Sequence, residues 1–178
     1  MRSLRLLFIV VACIAVTAVS LAQTRGRAAA PASTPVSANL GQLMKGTLYP
    51  ASNVIFAAQS ENPAQVKPAK DPSTSTDPLA STYGGWQAVE NSALALSEVA
   101  NLLMIPGRKC ANGRPVPIQN PDWPKFVQGL REAGQAVYKA AQSKDQDKIV
   151  DAADVMTTAC ANCHDKYREK ANLADRCQ

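Results

Sequence analysis

The chain has 178 residues, of which 46% are hydrophobic and 19% charged, and its net charge is +5. That length suits one domain and excludes a large multidomain enzyme, and the apolar content excludes an intrinsically disordered chain. Aromatic residues make up only 5%, which argues against an aromatic-rich β-sandwich. No Lys/Arg block forms a nucleic-acid footprint, so nucleic acid is not an expected partner.

Arg2 and Arg5 precede an apolar run from Leu6 to Val19, and Ser20-Leu21-Ala22 places small residues at the −3 and −1 positions of a cut after Ala22. This is the three-part layout of a secretory signal peptide. It predicts residues 1–22 as a leader and a mature, periplasmic or otherwise exported protein from Gln23, with no membrane contact after cleavage. Uncleaved, Leu6–Ala22 is roughly the minimum length for a membrane anchor. A lipoprotein reading of Val10-Val11-Ala12-Cys13 is weaker, because the apolar run continues past Cys13. Cleavage removes Arg2 and Arg5 and lowers the charge from +5 to +3. Export also puts the remaining cysteines in an oxidising compartment.

Residues 23–36 are rich in Ala, Pro, Ser and Thr and read as a flexible lead. Residues 37–178 then read as one helical domain. A first helix is predicted over Ala38–Ser60, where Leu40, Leu43, Met44, Leu48, Ala51, Ile55 and Ala58 recur at spacings of three and four. Pro50 lacks an N–H and crowds the carbonyl of Gly46, which predicts a kink or short break near Leu48. Residues 61–80 are polar and Pro-punctuated, a loop long enough to be either mobile or functional.

A second helix is predicted over Thr82–Ile105, with Trp86, Val89, Ala93, Leu96, Val99, Leu102 and Leu103 as its apolar stripe and Pro106-Gly107 as its stop. A loop follows to Pro121. The third helix starts near Asp122, read as its N-cap, with Pro124 in the first turn. Ser143 and Gln146 fit a capping box opening the fourth helix, on which Ile149, Ala152, Met156, Cys160, Cys163, His164 and Tyr167 share one face. No segment alternates with period two. The expected fold is all-α, an antiparallel four-helix bundle.

Cys160-Ala161-Asn162-Cys163-His164 has the C-x-x-C-H pattern of c-type haem attachment. On a helix the offsets i, i+3 and i+4 share a face. Two thiols can therefore reach the two vinyl groups of one porphyrin while the imidazole ligates the iron. His164 is the only histidine in the chain. Three alternatives stand beside this reading: a redox-active C-x-x-C pair, a Cys3His zinc site using Cys177, and a plain structural disulfide.

The ending Cys160-Ala-Asn-Cys-His-Asp-Lys-Tyr-Arg168 resembles the C-x-x-C-H-x-x-Y-R ending of the class II cytochromes c, the cytochrome c′ family. The resemblance covers four helices, roughly residues 38–170, and outside the motif it is topological. The 61–80 and 106–121 loops and Pro50 depart from the compact family pattern. The resemblance implies one covalent haem c, with Cys160 and Cys163 as its linking residues and His164 as the proximal iron ligand. Family members either carry electrons with a first-helix methionine on the iron or leave that position open to gases such as NO and CO. Met44 lies on the helix that supplies the ligand, although Leu40 stands where low-spin members usually carry an arginine. Such cytochromes often pair through helix faces, so a homodimer is implied beside a redox partner protein.

Up-down-up-down order places the start of the first helix, the end of the second and the start of the third beside His164. The expected pocket is Leu40, Leu43, Met44, Leu102, Leu103, Met104, Trp123, Phe126 and Val127. These would be core residues in any case, since a haem pocket is itself apolar. Met156 shares the helix of His164 and is excluded as the sixth ligand, which leaves Met44 and Met104. Arg168 can pair with a haem propionate or simply stabilise the helix end. The tail, with Lys166, Lys170 and Arg176 among Asp165, Glu169 and Asp175, is a mixed-charge face that can also steer a redox partner. The same order brings Cys110 and Cys177 together, so they are expected to be bridged. With no second histidine, nucleophile motif or phosphate loop, no enzymatic activity is expected.

Overall fold

The structure is a computed structural model that describes residues 35–177. The proposed signal peptide, its cleavage site and nearly all of the lead lie outside the described residues. Every named element among the described residues is helical.

The first helix, α1, is built of Leu40–Leu43, a π turn over Met44–Leu48 and Tyr49–Ser60. Asn39 caps it reciprocally: its side chain accepts the Gln42 N–H, and the Gln42 side chain accepts the Asn39 N–H. The irregularity expected near Leu48 as a kink or short break takes the form of this π turn, and the chain is not broken there. Leu43, Leu48 and Tyr49 all keep helical backbone angles, and the Tyr49 N–H donates to the Met44 carbonyl. Widening the turn by one residue relieves the crowding that the Pro50 ring would impose on Gly46 in an α-helix.

The 61–80 loop is held by its own bonds. It contains two short 3₁₀ turns, Pro72–Thr74 and Pro78–Ala80. The Ala69 N–H donates to the Ala80 carbonyl at 3.0 Å and Thr82 to Pro72 at 3.1 Å, while Leu79 is buried. This segment delays the second helix, α2 (Trp86–Val99), beyond the predicted start at Thr82. Gly84 lies so close to the Leu79 carbonyl that a Cβ would collide with it, and Gly85 takes a φ of +58°. Residues 81–85 are committed to this crossing and cannot be helical. A 3₁₀ turn, Ala100–Met104, extends α2 to the predicted stop before Pro106.

Helices α3 (Trp123–Ser143) and α4 (Gln146–Tyr167) follow. Asp122 occupies the N-cap position of α3 but makes no capping bond. Its carboxylate accepts the Tyr167 hydroxyl at 2.5 Å instead, a stronger partner than a backbone N–H of its own helix. The Ser143–Gln146 capping box is also corrected. Ser143 is still inside α3 and donates to the Ala140 carbonyl, whereas Asp145 caps α4 by accepting the Asp147 and Lys148 N–H groups. Gln146 reaches across to the Ala58 and Gln59 carbonyls.

Each helix packs against two others: α1 on α2 and α4, and α3 on α2 and α4. Ile55, Val89, Leu96, Val137, Ile149 and Met156 form the driest part of the core. Gly134 sets the spacing of α2 and α3, because a Cβ there would lie 2.9 Å from the Ala93 carbonyl.

Candidate functional site

At one end of the bundle the core opens into a cavity of about 570 Å³, within the roughly 300–1,000 Å³ range of cofactor sites. The last two turns of α4 supply Cys160, Cys163 and His164 to its wall, and Arg168 joins them from the C-cap. Met44 enters from the π turn of α1, and Phe126 from the first turn of α3. All six residues singled out in the sequence therefore line one space. Leu40, Leu103, Trp123 and Val127, also expected there, line it too.

Three expected pocket residues are not on the wall. Leu43 is buried in the core, Leu102 is exposed, and Met104 packs against the core beside the cavity. Of Leu102, Leu103 and Met104, the 3₁₀ turn over Ala100–Met104 brings only Leu103 to the cavity wall. Of the two candidate methionines, Met44 alone reaches the cavity. Leu48, Phe56, Leu96 and Leu130 deepen it along the bundle axis, and Tyr49, Ser52 and Asn53 add a polar stretch. The sequence reading missed these residues because it stopped the pocket at the helix ends. Their apolar periodicity was visible, but not that the core leaves room beside it.

The wall bearing the C-x-x-C-H motif is held by Tyr167. Its ring stacks edge-on against Trp123 at 5.0 Å and Phe126 at 6.2 Å. Its hydroxyl donates to Asp122 and accepts from Asn120 at 3.2 Å, and its carbonyl accepts the Cys177 N–H. Lys166 also pairs with Asp122, at 3.7 Å. Arg168 ends α4 with its Nε 2.6 Å from the Glu169 carboxylate.

Cys110 and Cys177 are bridged, with a Cα separation of 4.9 Å, inside the limit of about 7 Å for a disulfide. Around the bridge, Asn112 donates to the Ala174 and Arg176 carbonyls, and Arg114 pairs with Asp175 at 3.1 Å. Arg108, missed in the sequence reading, is only 5% exposed. It donates to the Ala38 and Leu102 carbonyls and so ties the start of α1 to the end of α2. Burial lowers its pKa. No apolar periodicity could mark a buried guanidinium that rests on carbonyls.

Burial pushes the Cys163 thiol up to about 11, with Cys160 and Asp122 adding to the rise, and burial raises Cys160 as well. Burial, assisted by Arg168, lowers the pKa of His164. At neutral pH the site thus holds two protonated thiols and a neutral imidazole. That does not suit a redox-active dithiol, which needs a stabilised thiolate. The bridge takes Cys177 out of the Cys3His zinc set, and among the described residues no three His, Cys, Asp or Glu side chains converge as a metal cluster. A paired thiol set beside one neutral imidazole on an apolar cavity fits a c-type haem.

Residues 119–168 match the family model for cytochrome c′. The matched stretch runs from just before α3 through the C-x-x-C-H motif to Arg168. Over it the chain is similar to cytochrome c′, and the similarity implies haem c as the cofactor. No curated protein and no solved structure matches the chain. No helix among the described residues is long and apolar enough to cross a membrane.

Proposed function

We propose that the chain is an exported, mono-haem c-type cytochrome that carries one electron at a time. The observation that supports this most directly is the placement of Cys160, Cys163 and His164 on one wall of an apolar cavity with Met44 on another. When bound, haem c supplies the one-electron iron couple. Cys160 and Cys163 would hold it by thioether bonds, and the neutral imidazole of His164 would offer its lone pair to the iron. Met44 on α1 would offer its thioether as a second protein ligand, which would raise the potential. Arg168, now paired with Glu169, would exchange that partner for a propionate in a charge-assisted contact. Phe126, with Trp123, keeps water from the ring.

The bundle in this reading is antiparallel. The bonds from Leu40 to Lys109 and from Gln146 to Ala58 support that order. Residues 1–22 direct export and leave the protein free of the membrane after cleavage. Its partner is another redox protein, pairing into a homodimer is compatible with the fold, and the chain is not itself an enzyme.

A second reading is a five-coordinate haem protein that binds NO or CO. Leu40, buried on the cavity wall in place of the arginine usual in low-spin relatives, favours it. The visible spectrum of the haem-loaded protein decides. A low-spin spectrum with a methionine-to-iron charge-transfer band, lost in Met44→Ala, supports the carrier. A high-spin spectrum that shifts with carbon monoxide supports the gas binder, and a colourless exported protein overturns both.

A further inference from the structure

The charges of the described residues are separated along the bundle. The segments that form the cavity end are residues 38–48, 100–126 and 164–177. Together they carry nine Lys/Arg against four Asp/Glu. The intervening residues 49–99 and 127–163 carry six against ten. The net +1 of residues 38–177 thus conceals a surplus of +5 around the cavity and of −4 over the other segments. Three of the four acids at the cavity end are paired, Asp122 with Lys166, Glu169 with Arg168 and Asp175 with Arg114. Lys45, Lys109 and Lys125 are exposed and enter no ion pair among the described residues. Lys45 lines the cavity, the Lys109 carbonyl accepts the Leu40 N–H, and Lys125 lies between the cavity residues Trp123 and Phe126.

We propose that this cavity end is the docking face for a redox partner protein with an acidic surface, and that Lys45, Lys109 and Lys125 are its principal contacts. The inference rests on the proposed electron-carrier reading, and it adds where the partner binds and what charge it bears. A field of one sign around the cavity mouth, with the opposite sign behind it, turns an approaching anionic surface toward the cofactor edge. The electron leaves the reduced iron for the partner's oxidised centre, with no bond made or broken. The three lysines stand apart on three separate segments. That spacing suits a rim of protein contacts better than the continuous stripe that tracks a nucleic-acid backbone.

The test uses the haem-loaded protein and has two arms. In the first, isotope-labelled protein is titrated with poly-L-glutamate at low ionic strength and followed by amide NMR. Shifts are expected around Lys45, Lys109 and Lys125. The pair Lys45→Glu and Lys125→Glu should weaken binding by about tenfold or more, while Lys67→Glu with Lys139→Glu leaves it within about twofold. In the second, the reduced protein passes one electron to hexacyanoferrate(III) or to a cationic cobalt(III) complex. The anionic oxidant should slow steeply with added salt and in the Lys45/Lys125 variant, and the cationic one should not. Shifts spread over both ends overturn the proposal, as do equal salt responses of the two oxidants or tighter binding to duplex DNA or anionic vesicles than to polyglutamate. The first arm needs no redox change. A protein that docks polyglutamate at these lysines but fails to cycle would refute the electron-carrier reading and leave the docking face standing.

Discussion

The two ends of the bundle are closed by different means. At the end away from the cavity, residues 61–85 fold over the helices through close backbone contacts, with Gly84 against the Leu79 carbonyl and Leu79 buried beneath. At the cavity end the core is hollow, and links between distant segments hold the helices in place: the Cys110–Cys177 bridge, the buried Arg108 and the Tyr167–Asp122 hydrogen bond. Side chains that line an open space contribute fewer dispersion contacts than those in a filled core. Cross-links supply the rigidity that packing does not, and they keep the cofactor wall in place.

The largest effect expected on this contrast comes from the motif itself. Cys160→Ala with Cys163→Ala should abolish covalent haem, read as complete loss of haem staining on a denaturing gel, while the far end of the bundle stays folded. Next is Cys110→Ser with Cys177→Ser. The bridge closes a loop with a sequence separation of 67, and its loss should cost about 2–4 kcal/mol in thermal or denaturant unfolding. Because Cys177 lines the cavity, the haem absorption bands should shift in this variant even below its unfolding temperature. Gly84→Ala at the other end should cost about 1–3 kcal/mol through overpacking and leave those bands unchanged. A matching band shift there would sink the distinction between the two ends.

The smallest expected effect is tied to pH. The Tyr167 hydroxyl, more than any other group, lowers the pKa of Asp122. A carboxylate with a depressed folded pKa stabilises the fold above its unfolded pKa, and that stability is lost as pH falls through the folded value. Tyr167→Phe should therefore lower stability slightly at neutral pH and have progressively less effect as the medium becomes acidic. Melting curves across the carboxylate range would check it. Equal destabilisation at every pH would point to lost ring packing instead.

Most of this arrangement was legible in the sequence where one residue's neighbours fix its role. The C-x-x-C-H spacing put three donors on one helix face, and the order of four helices brought Cys110 to Cys177. Leu40, Leu103 and Trp123 followed from the same order. The failures share a cause. Pro50 was read as a kink or short break near Leu48, and a single widened turn over Met44–Leu48 absorbs its cost there without breaking the chain. Asp122 and Ser143 were read as caps from local pattern, while a better partner, Tyr167, lay 45 residues away for one, and helix α3 ran on through the other. Leu102 and Met104 were placed in the pocket from helix order alone, and the chain abandons the α-helical period for a tighter turn after Val99. Arg108 and the deeper wall formed by Leu48 and Phe56 depend on the space between helices, which one helix's periodicity does not encode.

The bridge between Cys110 and Cys177 makes a covalent ring of everything between them. Helices α3 and α4, the haem-attachment motif and the whole of residues 119–168 lie inside this ring, and α1 and α2 lie outside it. One protease cut in the Lys144–Asp145 turn would leave α4 still fastened to α3 through the bridge. A cut before Cys110 would let α1 and α2 go, and Met44 with them.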